Sequence, residues 1–343
     1  MNATRTTLAL AVVLSLTAVS CSDGGPSSQA GAAAVEPSPT PDPTCPLTGE
    51  KARPRMNLDR PAVALKIENS PQARPQSGLE SADLVYEEVV EGGITRFMAI
   101  FHCGSVAQAG PVRSARFDDP KIAKPFTTLL AYSGGNAIVE AELAERGLVT
   151  VDEDTPGEAL YRVPEGVFEL HNLFADIPRL RRLAQRADVD APPSLKFGDL
   201  QQGARRARSV SLNFLATNTI EYRWSGNAWQ RFEASAPFMT AGGEQLEVTN
   251  LIVQEVTVND STTIRDVAGN PSPDIDLYSS GKALLFRDGK VVRGRWKTDD
   301  KGEATTFTTR KTGEDFVLAP GNTWIELVPS PAGSVKGSFS FTK

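Results

Sequence analysis

The chain of 343 residues carries a formal net charge of −6, with 23% charged and 7% aromatic residues. This length allows two domains of ordinary size, and the mild negative charge argues against a nucleic-acid partner, so none is expected. Only two histidines are present, His102 and His171, which excludes a multi-histidine metal site. The sequence also contains neither a His-Glu-x-x-His motif nor a Gly-x-x-x-x-Gly-Lys-Ser/Thr phosphate-binding loop.

The N-terminus has the pattern of an export signal. An apolar run over residues 8–19 follows Arg5. Because a membrane-spanning helix needs roughly 20 apolar residues, this run fits a signal peptide better. The run ends in Ala-Val-Ser before Cys21, which resembles a lipobox, although Ala18 stands where leucine is commoner. We therefore predict a lipoprotein signal peptide over residues 1–21 and acylation of Cys21, for example with palmitate; ordinary secretion with cleavage nearby is the alternative.

Residues 22–44 are predicted to form a flexible linker. Gly, Ser, Ala, Pro and acidic residues dominate this segment, which has no aromatic side chain to begin a core. Such a composition cannot offset the entropy lost on ordering. With an acylated Cys21, the linker would hold a folded body on the outer face of the cytoplasmic membrane.

The two remaining cysteines, Cys45 and Cys103, are candidates for a disulfide. An oxidising compartment favours pairing over free thiols. Closing a loop of roughly sixty residues would contribute on the order of 3–4 kcal/mol by restricting the unfolded chain. The alternative is a pair of buried, unbridged thiols.

Residues 45–210 are predicted to form an α+β or α/β N-terminal domain, because β-prone runs and helix signals both occur there. Gly92-Gly93 joins two β-rich runs as a hairpin would. Asn136 and Asp176 stand where helix N-caps are expected, and Pro178 fits the first turn after Asp176. The predicted elements are strands at 61–68, 83–91, 95–103 and 128–133, and helices at 137–146 and from 177 to about 187.

Residues 211–343 are predicted to form a mostly β C-terminal domain, because short β-prone runs recur between turn signals. Asp288-Gly289, between two such runs, is a strong hairpin signal. The predicted strands are 220–224, 251–258, 283–286, 291–296, 305–309 and 324–328.

Arginines recur near the end of the predicted N-terminal domain, at Arg179, Arg181, Arg182, Arg186, Arg205, Arg206 and Arg208. We interpret this run as a solvated helix face. A surface that faces anionic lipid or wall polymer is the alternative.

Several ordered motifs resemble the YerB-like lipoprotein family, bacterial proteins with an N-terminal and a C-terminal domain and no established activity. The motifs are residues 74–79 (Arg-Pro-Gln-Ser-Gly-Leu), 82–87, 91–97, 110–116, 281–289, 294–296 and 320–325. Residues 169–173 are similar to the family's Pro-His-Asn-Leu segment, with Glu169 and Leu170 in place of the usual residues before His171. The resemblance covers residues 46–329 and implies the two-domain organisation without supplying a reaction.

The candidate site lies in residues 110–118, where Arg113 and Arg116 follow a β region beside small residues. Guanidinium groups form paired, charge-assisted hydrogen bonds with phosphate and carboxylate. We therefore predict an anion site at Arg113 and Arg116, with Arg96 as a third cation and Asp118 beside them. The alternative is a purely structural network in which the arginines pair with Asp118 or with the acidic residues near 87–91.

Two further pairs of residues extend this prediction. Glu88 and Glu91 are candidate ligands for Mg²⁺, which is commonly held by one or two carboxylates together with phosphate oxygens. A plain strand edge explains the same glutamates without a ligand. His171 and Asn172 offer hydrogen-bonding groups, and His171 has the chemistry of a general acid or base. A structural hydrogen-bonding role is the alternative for this histidine.

The order of a β run, an arginine loop and a helix entered through Tyr132-Ser-Gly-Gly135 is also similar to the LytR–CpsA–Psr ligases. These enzymes transfer wall glycopolymers from polyprenyl-diphosphate carriers. The resemblance implies that Arg113, Arg116 and Asp118 hold the diphosphate, with Tyr132 to Gly135 beside it.

We expect from these patterns an envelope lipoprotein whose N-terminal domain binds an anionic, phosphate-bearing ligand, such as a polyprenyl phosphate or a cell-wall polymer. The first alternative is an enzyme that transfers wall glycopolymer. The second is a non-catalytic module that binds a protein or the wall. The sequence leaves open whether any reaction is catalysed.

Overall fold

The computed structural model describes residues 42–163, 171–215, 218–299 and 303–343. The predicted signal peptide at residues 1–21, Cys21 with it, and residues 22–41 of the linker lie outside these described residues, as do Glu169 and Leu170. No helix within the described ranges is long and apolar enough to cross a membrane.

Among the described residues, strands dominate and the three α-helices lie in the first half of the chain. The first-half strands are β1 (Val63–Glu68), β2 (Leu84–Val89), β3 (Thr95–Phe101), β4 (Leu129–Ala131), β5 (Val149–Val151), β6 (Leu160–Arg162) and β7 (Leu173–Ala175). The helices are α1 (Asp119–Ala123), α2 (Ala137–Glu145) and α3 (Ile177–Arg186). The later strands are β8 (Arg205–Arg206), β9 (Ser209–Leu215), β10 (Asn218–Trp224), β11 (Trp229–Glu233), β12 (Ala236–Pro237), β13 (Glu247–Val248), β14 (Asn250–Arg265), β15 (Pro271–Asp276), β16 (Ser280–Arg287), β17 (Lys290–Lys297), β18 (Thr306–Thr309), β19 (Thr323–Pro329) and β20 (Ser338–Thr342). This distribution confirms the predicted α+β first part and mostly β second part.

Both hairpins form where the turn sequences predict them. β2 and β3 pair antiparallel, and the connection between them includes Gly92 at a φ of 73° and Gly93 at 78°. β16 and β17 pair antiparallel across Asp288 and Gly289, whose φ values are 52° and 63°. In the two-residue turn at Asp288 and Gly289, two consecutive residues with positive φ give a twist that matches that of the flanking strands. The β2–β3 connection is longer and spans residues 90–94.

The two predicted helix caps are also confirmed. The Asn136 side chain accepts a hydrogen bond from the Ile138 backbone N–H at 2.9 Å, and α2 begins there. The Asp176 carboxylate accepts from the Arg179 backbone N–H at 2.8 Å, with a proline in the first turn of α3. Each cap satisfies a backbone donor that the helix itself leaves unpaired.

One large sheet of twelve strands runs through the molecule in the order β18-β17-β16-β14-β19-β2-β3-β1-β4-β5, with β15 beside β14 and β8 beside β17. A second sheet of six strands has the order β12-β11-β10-β9-β20, with β13 beside β11. β6 and β7 form a separate pair. The large sheet therefore contains strands from both halves of the sequence.

The two halves join where β19 lies parallel to both β14 and β2. Ile325 of β19 is opposite Tyr86 of β2 on one side and Ile252 of β14 on the other. The sheet is thus continuous across the boundary predicted near residue 210. Since all seven residues of β19 are buried, this strand is part of the interior and not an edge.

Aromatic side chains fill the space between the two sheets. Phe97 of β3 and Trp324 of β19 lie 5.3 Å apart between ring centroids. Trp229 of β11 packs against Phe286 of β16 at 5.7 Å. Buried residues of both sheets belong to the same hydrophobic core. The six-stranded sheet is therefore held to the large sheet mainly by apolar packing.

The predicted disulfide is present between Cys45 and Cys103, which are 58 residues apart in sequence. The cysteines pack with Ala52, and Met56 and Leu58 cover this small cluster. The bridge therefore fixes the start of the folded body to the residues that follow β3.

Candidate functional site

The arginine segment runs beside the end of β1. Val112 forms a β-bridge with Ile67, and the Arg113 backbone N–H donates to the Lys66 carbonyl at 3.0 Å. These backbone contacts place the Arg113 side chain next to Glu68, the last residue of β1.

Three charged residues lie in one row across the sheet. Arg96 of β3 is opposite Glu68 of β1 on one side and Glu88 of β2 on the other. Residues paired across neighbouring strands point to the same face, whereas Glu87, adjacent to Glu88, points to the opposite face. The row alternates carboxylate, guanidinium and carboxylate, and all three residues are buried.

Glu68 is the point where the side chains of Arg113 and His171 converge. Its Oε2 lies 2.9 Å from Nε of Arg113 and 2.8 Å from Nδ1 of His171. The Ser70 hydroxyl donates to the other oxygen at 2.9 Å. Glu68 is only 3% exposed, whereas the Arg113 side chain is 27% exposed and that of His171 is 12% exposed. The site is therefore reachable from solvent on the side of Arg113.

Arg116 and Glu91 form the second ion pair of this cluster. Nε of Arg116 donates to Oε2 of Glu91 at 2.7 Å, and the Ser272 hydroxyl donates to the other oxygen of Glu91. The Ser114 carbonyl accepts from the guanidinium of Arg96 at 3.0 Å and from that of Arg116 at 3.3 Å. This shared carbonyl brings the two guanidinium groups together.

The arginine cluster contains three guanidinium groups and two carboxylates, and the adjoining group around Lys66 contains one cation and two carboxylates. Arg96, Arg113 and Arg116 share the carboxylates of Glu68 and Glu91. Burial, and then the proximity of Arg116, lowers the pKa of Arg96 to about 10. Within the described part of the chain, Nε of Arg96 has no hydrogen-bond partner. An anion held by Arg113 and Arg116 would add negative charge beside the buried guanidinium of Arg96.

Glu88 belongs to a deeper ionic group. Nζ of Lys66 contacts Glu88 and lies 2.6 Å from Oδ1 of Asp119, and all three side chains are almost completely inaccessible. The second oxygen of Asp119 accepts from the Arg116 backbone N–H at 2.7 Å. Burial is the largest cause that raises the pKa of Glu88 to about 7, with a smaller contribution from Asp119. This group supports the arginine segment from inside the sheet.

Asp118 and Asn172 face partners other than the three arginines. Asp118 accepts from Nζ of Lys121 at 2.5 Å and from the Ile275 backbone N–H at 2.7 Å. Burial raises its pKa to about 6. Asn172 accepts from the Arg162 guanidinium at 2.7 Å. The structure therefore brings together Arg96, Arg113, Arg116 and His171 from the predicted site.

The two candidate ligands for Mg²⁺, Glu88 and Glu91, lie in separate ionic groups. The described residues contain no group of three or more His, Cys, Asp or Glu residues that could hold a metal ion without a further ligand. Glu88 contacts Lys66 and Glu91 contacts Arg116, so each of the two candidate ligands is already bound to a cation.

The segment from Tyr132 to Gly135 lies beside the arginine segment. Ser133 N–H donates to the Arg113 carbonyl at 3.0 Å, and Ala115 N–H donates to the Gly134 carbonyl at 3.1 Å. The Ser133 hydroxyl donates to Glu153 at 3.2 Å.

Sequence reasoning missed Glu68 and Lys66 as members of the site. The available signal was the alternation of Lys66 and Glu68 with the apolar Leu65 and Ile67 at the end of β1. Alternation places the two charged residues on one face of the strand, and all four residues are buried. Buried charges in such a strand require partners.

The comparisons with known proteins cover both halves of the chain. Residues 47–190 match the N-terminal domain, and residues 210–325 the C-terminal domain, of a family described as "Protein of unknown function (DUF3048)". The "Putative lipoprotein YerB" of Bacillus subtilis is 30% identical over 295 residues, which cover 83% of this chain and 86% of that protein. The crystal structure of Bacillus subtilis YerB is similar with a TM-score of 0.72 and 27% identity, over 87% of this chain and all of that chain. The chain described above therefore belongs to the YerB-like DUF3048 family.

Proposed function

We propose that this protein is a lipid-anchored component of the cell envelope that binds a phosphate-bearing anion at Arg96, Arg113, Arg116 and His171. The observation that carries the proposal is the convergence of several guanidinium groups at a solvent-accessible position. Three guanidinium groups share two carboxylates, and Arg113 remains partly open to solvent.

The chemistry of the cluster suits a phosphate group. Guanidinium groups offer several N–H donors in a fixed plane, which match two phosphate oxygens at once. Arg113 is the most exposed cation of the cluster and would meet the ligand first. His171, whose Nδ1 lies 2.8 Å from Glu68, would supply an additional ring N–H donor to the phosphate.

Anchoring is supported by the N-terminal sequence and by a relative. The lipobox-like residues before Cys21 predict acylation, and the Bacillus subtilis relative is named as a lipoprotein. We infer that Cys21 carries the anchor and that the folded body faces outward from the cytoplasmic membrane. There it has access to polyprenyl-phosphate carriers and wall polymers.

A second candidate function is the transfer of a wall glycopolymer from a polyprenyl-diphosphate carrier. The hydrogen bonds between residues 113–115 and 133–134 favour it, because they place the Tyr132-to-Gly135 segment beside the proposed anion site. Anion binding is the simpler function, since the paired arginines support it without a catalytic group.

The experiment is a thermal-shift titration with pyrophosphate, a polyprenyl-diphosphate analogue and wall-polymer fragments, each with and without Mg²⁺. A charge-assisted hydrogen bond is worth roughly 1.5–3 kcal/mol, so Arg113→Lys or Arg116→Lys should weaken binding by about tenfold to a hundredfold. Arg146→Lys is the matched control, because Arg146 pairs with Glu142 on α2. Absence of a shift with pyrophosphate or the polyprenyl-diphosphate analogue in the wild-type protein, or a shift with either ligand that survives both arginine changes, would refute the site. The transfer function has its own test. Release of a wall polymer from its polyprenyl-diphosphate carrier on incubation with the protein would support it.

A further inference from the structure

A second concentration of positive charge lies along the β17 edge of the large sheet. β16 covers one side of β17 along its whole length. On the other side, β8 pairs with Lys290 and Val291, and β18 pairs with residues 294–297. Neither strand pairs with residues 292–293, although the Arg293 carbonyl accepts from the Arg310 backbone N–H at 2.9 Å just past the end of β18. The sheet edge therefore has a short gap between β8 and β18.

A groove of about 890 Å³ lies at this gap. Four cations from three separate segments line it: Arg205 from β8, Arg293 from β17, and Arg310 and Lys311 from the turn after β18. One carboxylate, Glu314, is also in the lining. All five side chains belong to exposed residues. The groove therefore combines concave shape, net positive charge and solvent access.

These four cations form no ion pairs among the described residues. In the part of the chain that the structure describes, none of the four lies within 4.0 Å of a carboxylate. Glu314 accepts a hydrogen bond from the Thr312 hydroxyl at 2.9 Å. Arg293 lies over the Phe341 ring at 5.6 Å from its centroid, which holds its planar group in place. Repulsion among the unpaired positive charges lowers the stability of the folded protein, and a bound anion would relieve this repulsion.

We propose that this groove binds a linear polymer of phosphodiester-linked units. A polymer with one negative charge per unit presents a row of anions. The cations on the three separate segments that line the groove can contact several of these anions at once. The polar walls, which include Gln201 and Thr309, suit a hydrated chain.

The shape and surroundings of the groove favour a polymer over a membrane surface. A flat bilayer would contact protruding side chains, and insertion would need exposed apolar residues beside the basic ones. Among the described residues, the exposed large hydrophobic side chains are Ile138, Met239 and Val267. None of them lines the groove. The site is also separate in sequence and structure from the anion cluster around Arg113.

The test is binding of the full-length protein to poly(glycerol phosphate), measured by fluorescence anisotropy of the labelled polymer. The probe variant is the triple change Arg293→Gln, Arg310→Gln and Lys311→Gln. Its control is Lys124→Gln, Arg182→Gln and Arg186→Gln, which removes the same charge from exposed residues elsewhere. We expect at least a tenfold loss in the probe variant and less than a twofold loss in the control.

Salt and competing ligands supply the remaining tests. Release of counterions by about three or four contacts should weaken polymer binding roughly tenfold to a hundredfold between about 50 and 200 mM salt. The shift in melting temperature with pyrophosphate should be unchanged in the groove variant. Binding of poly(glycerol phosphate) should survive Arg113→Lys. Each site can therefore be refuted without refuting the other. Equal losses in probe and control variants would overturn the proposal. Tighter binding to phosphatidylglycerol vesicles or to poly-glutamate than to the polymer would also overturn it.

Discussion

Arg231 of β11 donates two hydrogen bonds to the Glu87 carboxylate of β2, at 2.7 and 3.1 Å, and neither side chain is accessible to solvent. The same guanidinium donates to the Tyr222 hydroxyl at 2.7 Å and lies 3.5 Å from Glu326. Burial, and then the neighbouring Glu87, raises the pKa of Glu326 well above its usual range. The charge of Arg231 is therefore balanced by Glu87, across the junction between the two sheets, together with Glu233 of its own strand at 3.2 Å.

Arg231→Met should unfold the protein at much lower urea concentration than the wild type. The change leaves Glu87 buried without its cation, which typically costs about 3–5 kcal/mol. Arg223→Met is the control, because Arg223 pairs with Glu221 at an exposed position and should change stability little. Adding Glu87→Gln to Arg231→Met should restore part of the loss. Equal effects of Arg231→Met and Arg223→Met would show that the buried pair does not stabilise the junction.

Local sequence patterns predicted the elements well because their causes are local. Gly92-Gly93, Asp288-Gly289 and the cap residues Asn136 and Asp176 act within a few residues of themselves. The position of β19 between β14 and β2 has no such local cause. It results from pairing between strands more than two hundred residues apart in sequence, and the apolar pattern of Trp324 to Val328 is compatible with many neighbours.

The candidate site was predictable in composition but not in pairing. The spacing of Arg113 and Arg116 pointed to anion chemistry. Which carboxylate each arginine meets depends on the register that puts Arg96 opposite Glu68 and Glu88, and on the bridge between Ile67 and Val112. Asp118 was predicted beside the arginines, yet β15 supplies the backbone N–H of Ile275 to its carboxylate. The approach of that distant strand could not be foreseen from residues 110–118.

The buried ionic group around Lys66 should make stability fall as the pH rises. The pKa of Glu88 is raised to about 7 in the folded protein from an ordinary value of 4.5. Between these two values the folded state holds a proton that the unfolded state has lost. The resulting stabilisation is complete below the lower value and disappears as the pH passes the upper one. The slope contributed by one such group is at most about 1.4 kcal/mol per pH unit.

Glu88→Gln should reduce this dependence, because glutamine does not titrate and Lys66 keeps its contact with Asp119. Urea denaturation of the wild type and the variant between about pH 5 and pH 8 measures the difference. Asp118, whose pKa is raised to about 6 by burial, remains in both proteins and cancels in the comparison. Identical slopes would show that Glu88 is ionised throughout this range.

Reduction of the Cys45–Cys103 bridge should destabilise the protein. The bridge closes a loop of 58 residues, and in the chain-entropy view such a loop contributes roughly 3–4 kcal/mol. Thiol titration of the denatured protein should reveal two additional thiols per chain after reduction. The melting temperature should fall in parallel, and Cys45→Ser with Cys103→Ser should reproduce the decrease. Full thiol reactivity before reduction would contradict the bridge.

Cys21→Ala should prevent anchoring. If Cys21 is the acylated residue, the variant should accumulate as unprocessed precursor or appear in the aqueous phase on detergent partitioning, whereas the wild type enters the detergent phase. Ser20→Ala keeps the cysteine and a small residue before it, and it should remain processed. A mature Cys21→Ala protein that still enters the detergent phase would show that another feature attaches it to the membrane.

Glu68→Gln should separate the structural from the ligand-binding role of the arginine cluster. Without a ligand, the variant loses the ion pair of a nearly inaccessible carboxylate with Arg113 and weakens its contact with His171, so its melting temperature should fall. With pyrophosphate, the rise in melting temperature should be larger than in the wild type, because the phosphate no longer competes with Glu68 for the same guanidinium. Glu142→Gln, which breaks the pair with Arg146 on α2, should leave the pyrophosphate response unchanged. A smaller rise in Glu68→Gln than in the wild type would mean that Glu68 orients Arg113 for the ligand instead of competing with it.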